Sequence, residues 1–299
     1  MAVTWTIDRR DFLKASVGAL AGLARLERLG DQTAVRFGLV TDSHYADADP
    51  LGTRFYRESL VKMREAVATL RREGVSFLGV LGDIKDMAPK ESEDRTLAHL
   101  TAIEAEIQRF GGPTYHVLGN HDMDNISKPQ MLAGITNTGI AKDRSYYAFT
   151  HQGLRFVTLD ACYLENGQPY DHGNFDYRDT WVPAAQLDWL NGELTSSSSL
   201  PVIVLAHQRL DGEGTLHVKN SAEVRAVLEH SKKVLAVFMG HDHPGAYNHL
   251  NGIHYYTQKA VIEGSGEANN AYTIVSVDKA LNITVTGYRM AVSKELPRG

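Results

Sequence analysis

Histidine and aspartate recur at close spacing in five short polar segments of this 299-residue chain. The segments are TDSH (41–44), GDIKD (82–86), GNHD (119–122), His207 and GHDH (240–243). Each directly follows an apolar run, so each polar cluster begins where a buried strand would end. Imidazole and carboxylate groups bind divalent metals and serve as general acids and bases, so these segments predict metal or acid–base chemistry.

The donor types favour a transition metal. Carboxylate, amide and imidazole ligands together suit Mn, Fe, Zn or Co, whereas Ca and Mg prefer shells made of oxygen. The single cysteine, Cys162, excludes an internal disulfide and a multi-thiolate site. The candidate ligands are Asp42, His44, Asp83, Asn120, His207, His241 and His243. Seven ligands exceed the needs of one ion, whereas two ions about 3.5–4 Å apart that share a carboxylate fit the count and are typical of phosphoester hydrolysis.

The elements that would position these residues alternate along the chain. Runs typical of buried strands are VRFGLV (35–40), VSFLGVL (75–81), TYHVL (114–118), LRFVTL (154–159), PVIVLA (201–206) and KVLAVFM (233–239). Helical spacing occupies 56–73, 93–110, 183–194 and 221–230. Strands alternating with helices predict an α/β domain, in which the carboxyl ends of parallel strands gather at one edge. We therefore expect the candidate ligands to meet at that edge.

Finer signals mark the ends of these elements. Pro183 is expected at the first position of its helix, and Ser221 is expected to cap the following one.

The last part of the chain changes character, with strand patterns at 252–261, 271–278 and 282–290 and no helical pattern between them. We expect hairpin-linked strands there.

In order and spacing, the five segments resemble the pattern of the calcineurin-like metallophosphoesterases: D-x-H, G-D-x-x-[DN], G-N-H-[DE], a single H, and G-H-x-H. This resemblance implies a four-layer α/β/β/α sandwich of two mixed sheets over residues 35–295. It also implies a dinuclear phosphohydrolase that cleaves a phosphoester or pyrophosphate bond with a metal-activated hydroxide.

The resemblance also assigns roles to residues. It implies that one ion is bound by Asp42, His44 and His243, that the other is bound by Asn120, His207 and His241, and that Asp83 bridges them. His121 would lie beside the phosphate and stabilise its charge or protonate the leaving oxygen. Asp122 would orient the His121 imidazole through a hydrogen bond. Asp86 would support the ligands from behind or have a plain surface role.

Two further segments resemble one branch of that family. YADADPLGTRFYRESL (45–60) and HYYTQKAVIEG (254–264) are similar to the manganese-dependent ADP-ribose/CDP-alcohol diphosphatases, which favours manganese and a nucleotide diphosphate derivative as substrate. Arg54, Arg57 and His172 are candidate substrate contacts, although the two arginines would equally suit a solvated helix start. A phosphomonoesterase, a phosphodiesterase and a non-catalytic metal-bound interaction scaffold are the alternatives.

The net charge bears on the binding partner of the protein, and the N-terminal sequence bears on its location. The net charge of −5 gives no basic field for nucleic acid. DRRDFLK (8–14), followed by an uncharged stretch at 15–24, resembles a twin-arginine export signal, so we expect 1–34 to direct export to the periplasm or outside the cell. The stretch is too short for a stable membrane span. The alternative is an amphipathic N-terminal helix on a cytoplasmic protein, and the oligomeric state is left open.

Overall fold

The apolar runs of the sequence form the centre of two stacked sheets. The computed structural model describes residues 33–87, 92–196 and 199–298. The strands are β1 (Thr33–Val40), β2 (Leu78–Val80), β3 (Thr114–His116), β4 (Tyr147–His151), β5 (Leu154–Thr158), β6 (Val202–Leu205), β7 (Val234–Met239), β8 (Ala246–Leu250), β9 (Ile253–Thr257), β10 (Ala271–Asp278), β11 (Ile283–Arg289) and β12 (Lys294–Leu296). The helices are α1 (Ser59–Arg72), α2 (Glu93–Gln108), α3 (Lys128–Gly134), α4 (Ala184–Thr195) and α5 (Ser221–Ser231).

Both sheets are mixed and six-stranded. The first has the order β12-β11-β10-β1-β2-β3, with β1, β2 and β3 parallel and the last three strands antiparallel. The second has the order β4-β5-β6-β7-β9-β8, with a parallel centre and an antiparallel strand at each edge. The five strands that precede the polar segments, β1, β2, β3, β6 and β7, all take part in parallel pairs.

Four layers follow from the packing. Between the sheets lies an aromatic core in which Phe37 stacks on Phe77 at 4.9 Å between ring centroids and meets Phe156 edge-on at 5.3 Å. Apolar faces of α1, α2 and α3 cover the outside of the first sheet, and those of α4 and α5 cover the second. This arrangement confirms the predicted α/β/β/α sandwich.

The C-terminal strands differ in part from the prediction. β10 and β11 form the expected antiparallel pair in the first sheet. β9 instead pairs in parallel with β7 in the second sheet, and a short 3₁₀ turn at Glu267–Asn269 lies between β9 and β10. The chain therefore crosses from one sheet to the other after β9. The first predicted strand, β9, forms a hairpin with β8 before it, and only the last two predicted strands form a hairpin with each other.

Two helix starts also differ by one residue. Pro183 has extended backbone angles, φ −62° and ψ 152°, so it precedes α4 as the N-cap and does not open the helix. Asn220 holds the N-cap position of α5, and Ser221 is its first helical residue. The Asn220 side chain is engaged with the backbone of Val182 on the neighbouring segment, which fixes where α5 begins.

The predicted export segment at 1–34 lies almost entirely outside the described residues. Within the described ranges, no helix combines the length and the apolar character that crossing a bilayer would require.

Candidate metal centre

All five polar segments meet at one edge of the molecule. The carboxyl ends of β1, β2 and β3 bring Asp42, His44, Asp83 and Asn120 from the first sheet, and the ends of β6 and β7 bring His207, His241 and His243 from the second. The first five of these residues are no more than 2 % exposed. Residues far apart in sequence thus converge as the strand order predicts.

One group of donors surrounds Asp42. Its Oδ1 atom lies 3.6 Å from His44 Nε2 and 3.6 Å from His243 Nε2. The two imidazole Nε2 atoms are themselves 3.2 Å apart. Three donor atoms this close together can share one cation.

A second group surrounds Asp83. Its Oδ2 atom lies 3.2 Å from His207 Nε2, and donor atoms of Asp83, His207 and His241 all fall within 4.8 Å of one another. The same Oδ2 atom is 3.6 Å from His44 Nε2 of the first group. Asp83 therefore stands between the two groups, and His241 and His243 belong to different ones although they are neighbours in sequence.

Buried donor atoms without a hydrogen-bond partner show that the site suits cations. Among the described residues, Asp42 Oδ1, Asn120 Oδ1, His207 Nε2 and His241 Nε2 have no hydrogen bond of acceptable geometry. Each buried polar atom left unsatisfied costs about 1–3 kcal/mol. Coordination to a metal ion would satisfy all four, so the residues present fit a metal centre.

Contacts behind the imidazoles fix which nitrogen faces inward. His207 Nδ1 donates to the Leu81 carbonyl at 2.7 Å, and His243 Nδ1 donates to Glu263 Oε1 at 2.6 Å. In the neutral imidazole, both contacts leave Nε2 with a lone pair that faces the other donors, as in metal-binding histidines generally. Asp86 Oδ2 lies 3.4 Å from His44 Nδ1 and the residue is nearly buried, which agrees with a supporting position and not with a surface one.

The backbone at the donors is strained. Asp42, His44, Asp83 and His241 have φ values of 52°, 42°, 51° and 67°. L-residues rarely adopt this left-handed region, and such strain is concentrated at functional sites. Hydrogen bonds hold the turns in place, including Asp42 N to Gly82 O at 3.0 Å and His241 N to Asp42 Oδ2 at 3.0 Å.

Burial and neighbouring charges compete in setting the pKa values of the donors. Burial would raise the pKa of Asp42 and Asp83, but nearby imidazoles, His44 and His207 among them, hold both below their usual range. Conversely, burial would lower the pKa of His207, whereas Asp83 raises it to about 9. Burial lowers the pKa of His241 to about 3, which keeps this imidazole neutral. The buried carboxylates thus need positive charge beside them, which a divalent cation would also bring.

His121 lies beside both groups, and its donor atom falls within 4.8 Å of those of His44 and Asp83. Its ring is 4.7 Å from that of His44, its backbone N–H donates to Asp83 Oδ1 at 2.7 Å, and its side chain remains 28 % exposed. Burial would lower the pKa of His121, but the carboxylates of Asp124 and Asp83 raise it to about 10. A partly exposed imidazole at the rim of the donors has the position expected of a group that contacts substrate.

The predicted hydrogen bond from Asp122 to His121 is wrong. His121 Nδ1 lies 2.7 Å from Asp124 Oδ2, whereas Asp122 accepts backbone N–H groups from Gly119 at 2.8 Å and Ile84 at 2.9 Å. The reason is local geometry, since His121–Met123 form a 3₁₀ turn in which side chains three residues apart eclipse each other. Asp124 therefore orients the ring, and Asp122 ties two ligand-bearing turns together.

Residues 35–245 match the family model described as calcineurin-like phosphoesterase. The chain belongs to this family. The calcineurin-like phosphoesterase fold is a dinuclear metal-binding fold, and members of the family are hydrolases.

Relatives and a solved structure agree with this assignment. The chain is 30 % identical over 271 residues to a manganese-dependent ADP-ribose/CDP-alcohol diphosphatase of Oryza sativa subsp. japonica, covering 76 % of this chain and 83 % of the relative. The Arabidopsis thaliana protein of the same name is 28 % identical over 276 residues, covering 78 % and 88 %. A dimetal phosphatase from Danio rerio shares the fold, with a TM-score of 0.77, 24 % identity and coverage of 89 % and 100 %. The resemblance of this phosphoesterase to the diphosphatase branch is thereby confirmed.

The three candidate substrate contacts occupy different settings. Arg57 is held on the surface by the carboxylates of Asp47 and Asp49, the solvated arrangement that the sequence also allowed. His172 is likewise exposed, with ion-pair contacts to acidic neighbours. Arg54 pairs through its backbone with Glu263, the residue that holds His243, so it alone of the three lies next to the support of a predicted ligand.

Sequence reasoning missed two supports of the ligand turns, the segment 260–264 and the side chain of Lys62. The segment 260–264 is hydrogen-bonded to both ligand turns, through Ala260 N to His243 O at 3.1 Å and Ile262 N to Asp42 O at 3.0 Å. Buried Lys62 on α1 donates to the carbonyls of Val261 at 2.9 Å and of Glu263 at 3.0 Å. The available signal was the similarity of 254–264 to the diphosphatase branch, which indicated a shared segment without indicating its role.

The rim of this phosphoesterase site includes an aromatic side chain. The Tyr177 ring lies 6.2 Å from the His241 ring, and the residue is 45 % exposed. It belongs to the long connector between β5 and α4. Its position is suitable for contact with a bound molecule.

Proposed function

We propose that this phosphoesterase is a manganese-dependent diphosphatase that hydrolyses the pyrophosphate bond of a nucleoside diphosphate derivative. Water would add across the P–O–P bridge, giving two phosphate monoesters and releasing protons. ADP-ribose and CDP-alcohols are the substrates to test first, because they appear in the names of its diphosphatase relatives. The observation that carries the proposal is the pair of donor groups that meet at Asp83.

The ligand assignment follows the two groups. Asp42, His44 and His243 would hold one manganese ion, Asn120, His207 and His241 the other, and Asp83 would contact both, as the sequence resemblance implies. Two such ions supply charge neutralisation of the phosphoryl oxygens and an activated water near neutral pH. Iron and zinc are the competing metals, since the same donor set accepts them.

The proton chemistry is assigned to His121. Its Nδ1 is held by Asp124, so Nε2 is the nitrogen that would donate a hydrogen bond to the phosphate or a proton to the leaving oxygen. The partly exposed position of the ring agrees with contact to a substrate entering from solvent. Asp122 would act only through the turns that it ties together.

Two alternatives remain as outcomes of the test. A phosphomonoesterase or phosphodiesterase would use the same metal ligands, so the difference lies in the residues around the centre. A non-catalytic scaffold would not need the complete donor set, or a proton donor held by its own carboxylate. The donor groups that meet at Asp83 and the contact of His121 with Asp124 therefore support the enzyme over the scaffold.

The test is an activity screen with defined metals. The full chain is stripped with chelator, reloaded with Mn, Fe or Zn, and assayed on p-nitrophenyl phosphate, bis-p-nitrophenyl phosphate, ADP-ribose and CDP-choline. We expect the highest kcat/KM with manganese on the last two substrates. Higher kcat/KM on either p-nitrophenyl ester would contradict the diphosphatase assignment, and no turnover with bound metal would favour the scaffold.

We also propose that residues 1–34 direct export by a twin-arginine route, with the phosphoesterase domain following at 35–295. The paired Arg9 and Arg10 and the uncharged stretch after them support this proposal. Arg9→Lys/Arg10→Lys, expressed in a bacterium with that export system, is expected to shift the protein from the periplasmic to the cytoplasmic fraction. An unchanged distribution would contradict it.

A further inference from the structure

A cavity of about 420 Å³ opens beside His243, which forms part of its lining. Its volume falls within the range of small-molecule sites. The lining residues whose chemistry matters are His243, Lys259, Glu263, Asn269 and Met290. The cavity therefore joins the proposed metal centre to a surface that offers one cation, one amide and one flexible apolar side chain.

Lys259 brings a positive charge to this cavity that no described carboxylate neutralises. Among the residues that the structure describes, no hydrogen bond or ion pair is recorded for its ammonium group. The only carboxylate that lines the cavity, Glu263, is already bound to His243 Nδ1 at 2.6 Å. The backbone next to Lys259 is fixed against the centre, because Ala260 N donates to His243 O at 3.1 Å. The cavity thus presents a positive charge close to the metal ligands.

We propose that Lys259 binds the second phosphate of a diphosphate substrate, the one that is not attacked. This inference rests on the proposed function, since it gives the metal centre the phosphate under attack. A monoester would fill only the metal centre, whereas a diphosphate must place its second charged group in a neighbouring space that supplies positive charge. A lysine ammonium is a compact donor suited to phosphate oxygens.

The rest of the cavity suits what a second phosphate would carry. Asn269 Nδ2 donates to Ser265 O at 2.7 Å, which leaves the amide oxygen for hydroxyl groups. Met290, which is 48 % exposed, offers a flexible apolar surface. A sugar or an alcohol esterified to the second phosphate has this combination of polar and apolar surface. Lys259 therefore selects for the diphosphate, and the surrounding residues accept the group attached to it.

The experiment compares substrates within single variants. Lys259→Met removes the charge and retains an unbranched side chain, and Lys259→Arg retains the charge. For Lys259→Met we expect kcat/KM on ADP-ribose to fall by about 10- to 100-fold, the loss of one hydrogen bond to a charged group, with no more than about a twofold change on p-nitrophenyl phosphate. Lys259→Arg is expected to recover most of the loss.

A binding measurement provides a readout independent of turnover. Titration calorimetry of manganese-loaded protein with adenosine 5′-(α,β-methylene)diphosphate and with AMP measures the preference for two phosphates over one. We expect this preference to shrink about tenfold or more in Lys259→Met, with unchanged manganese content. The comparison depends on the ratio of the two ligands, so a general loss of folding cannot imitate it.

The outcomes separate this inference from the proposed function. If the wild-type protein cleaves ADP-ribose and Lys259→Met retains its kcat/KM and its preference for two phosphates, the role of Lys259 is overturned and the diphosphatase assignment stands. Equal losses on ADP-ribose and p-nitrophenyl phosphate would overturn it as well. If the wild-type protein prefers the monoester, the proposed function itself fails.

Discussion

At the scale of single residues, the orientation of three imidazoles in the site is fixed by the partner of each Nδ1 nitrogen. His207 uses Nδ1 on a carbonyl, His243 on Glu263 and His121 on Asp124. These contacts select one tautomer and one ring orientation for each histidine. The orientation of these imidazoles is therefore set by groups on the far side of each ring from the other donors.

Asp124→Asn tests the hydrogen bond between Asp124 and His121, which is present in place of the predicted one from Asp122. An amide keeps the shape of the carboxylate but no longer stabilises a protonated imidazole, so we expect kcat on ADP-ribose to fall about 10- to 100-fold with KM and manganese content little changed. The matched control is Asp143→Asn, whose side chain is 83 % exposed. Steady-state kinetics and metal analysis check this, and an unchanged kcat would show that Asp124 does not position the proton donor.

Glu263→Ala tests the support of a predicted ligand. Without the carboxylate, the His243 ring loses its fixed tautomer, and we expect affinity for one of the two manganese ions to weaken by about 10- to 100-fold. Glu263→Gln keeps an acceptor and is expected to recover part of the affinity. Glu267→Gln on the exposed turn at Glu267–Asn269 is the control. Manganese titration calorimetry that shows two unaffected sites in Glu263→Ala would refute this role.

At the scale of elements, the strand ends place the donors and the turns after them aim the side chains. The approach of the turn after β3 to the turn after β2 is so close that a β-carbon on Gly119 would collide with the backbone and side chain of Asp83. Glycine is needed there for space, because its φ is not in the left-handed region. The G-N-H-D spacing therefore encodes a close approach as well as ligands.

Gly119→Ala is expected to displace the Asp83 turn. We expect a loss of about 1–3 kcal/mol in the free energy of unfolding from overpacking, together with loss of tight manganese binding. The control is Gly192→Ala in α4, where an added β-carbon meets nothing within 4 Å and alanine favours the helix. Urea unfolding and metal analysis check both variants. Wild-type manganese affinity in Gly119→Ala would contradict the steric argument.

A buried ion pair joins α2 to β3. His116 Nε2 lies 3.0 Å from Glu104 Oε2, and His116 Nδ1 faces Asn137 Oδ1 at 3.2 Å. Burial alone would lower the pKa of His116, but Glu104 raises it above 6.5. Because the folded pKa is the higher one, this stabilisation is fully present below pH 6.5 and is lost as pH rises through the folded value.

Glu104→Gln removes the partner that raises this pKa. We expect the difference in unfolding free energy between wild type and Glu104→Gln to be larger at about pH 6 than at about pH 9. Urea unfolding across that range measures it, with Glu193→Gln on α4 as a carboxylate control on the other sheet. A difference that is constant with pH would show that the His116 charge does not contribute.

How far the sequence predicts this structure differs between elements. The runs before Asp42, Asp83 and His207 are six or seven residues long and mostly apolar, and their polar ends suffice to place these three residues at one edge. The edge strands β4, β8 and β12 are short or only partly buried, so their patterns do not stand out from loops. The role of Asp124 was not predicted, because its contact with His121 depends on a 3₁₀ turn that the spacing of G-N-H-D does not reveal.

At the scale of the whole molecule, the site lies across the interface of the two sheets. The first sheet supplies Asp42, His44, Asp83 and Asn120, and the second supplies His207, His241 and His243. The segment that follows β9 crosses between the sheets and is hydrogen-bonded to the ligand turns of both. Metal binding would therefore add to the links between the two sheets, which already include the aromatic core, the chain crossings and the hydrogen bonds of His207 to Leu81 and of His241 to Asp42.

The most direct test is the anomalous difference map of a manganese-loaded crystal, recorded at the manganese absorption edge. We expect two peaks about 3.5–4 Å apart, both in contact with Asp83, with His243 beside one and His207 beside the other. A single peak, or peaks that Asp83 does not touch, would contradict the dinuclear centre.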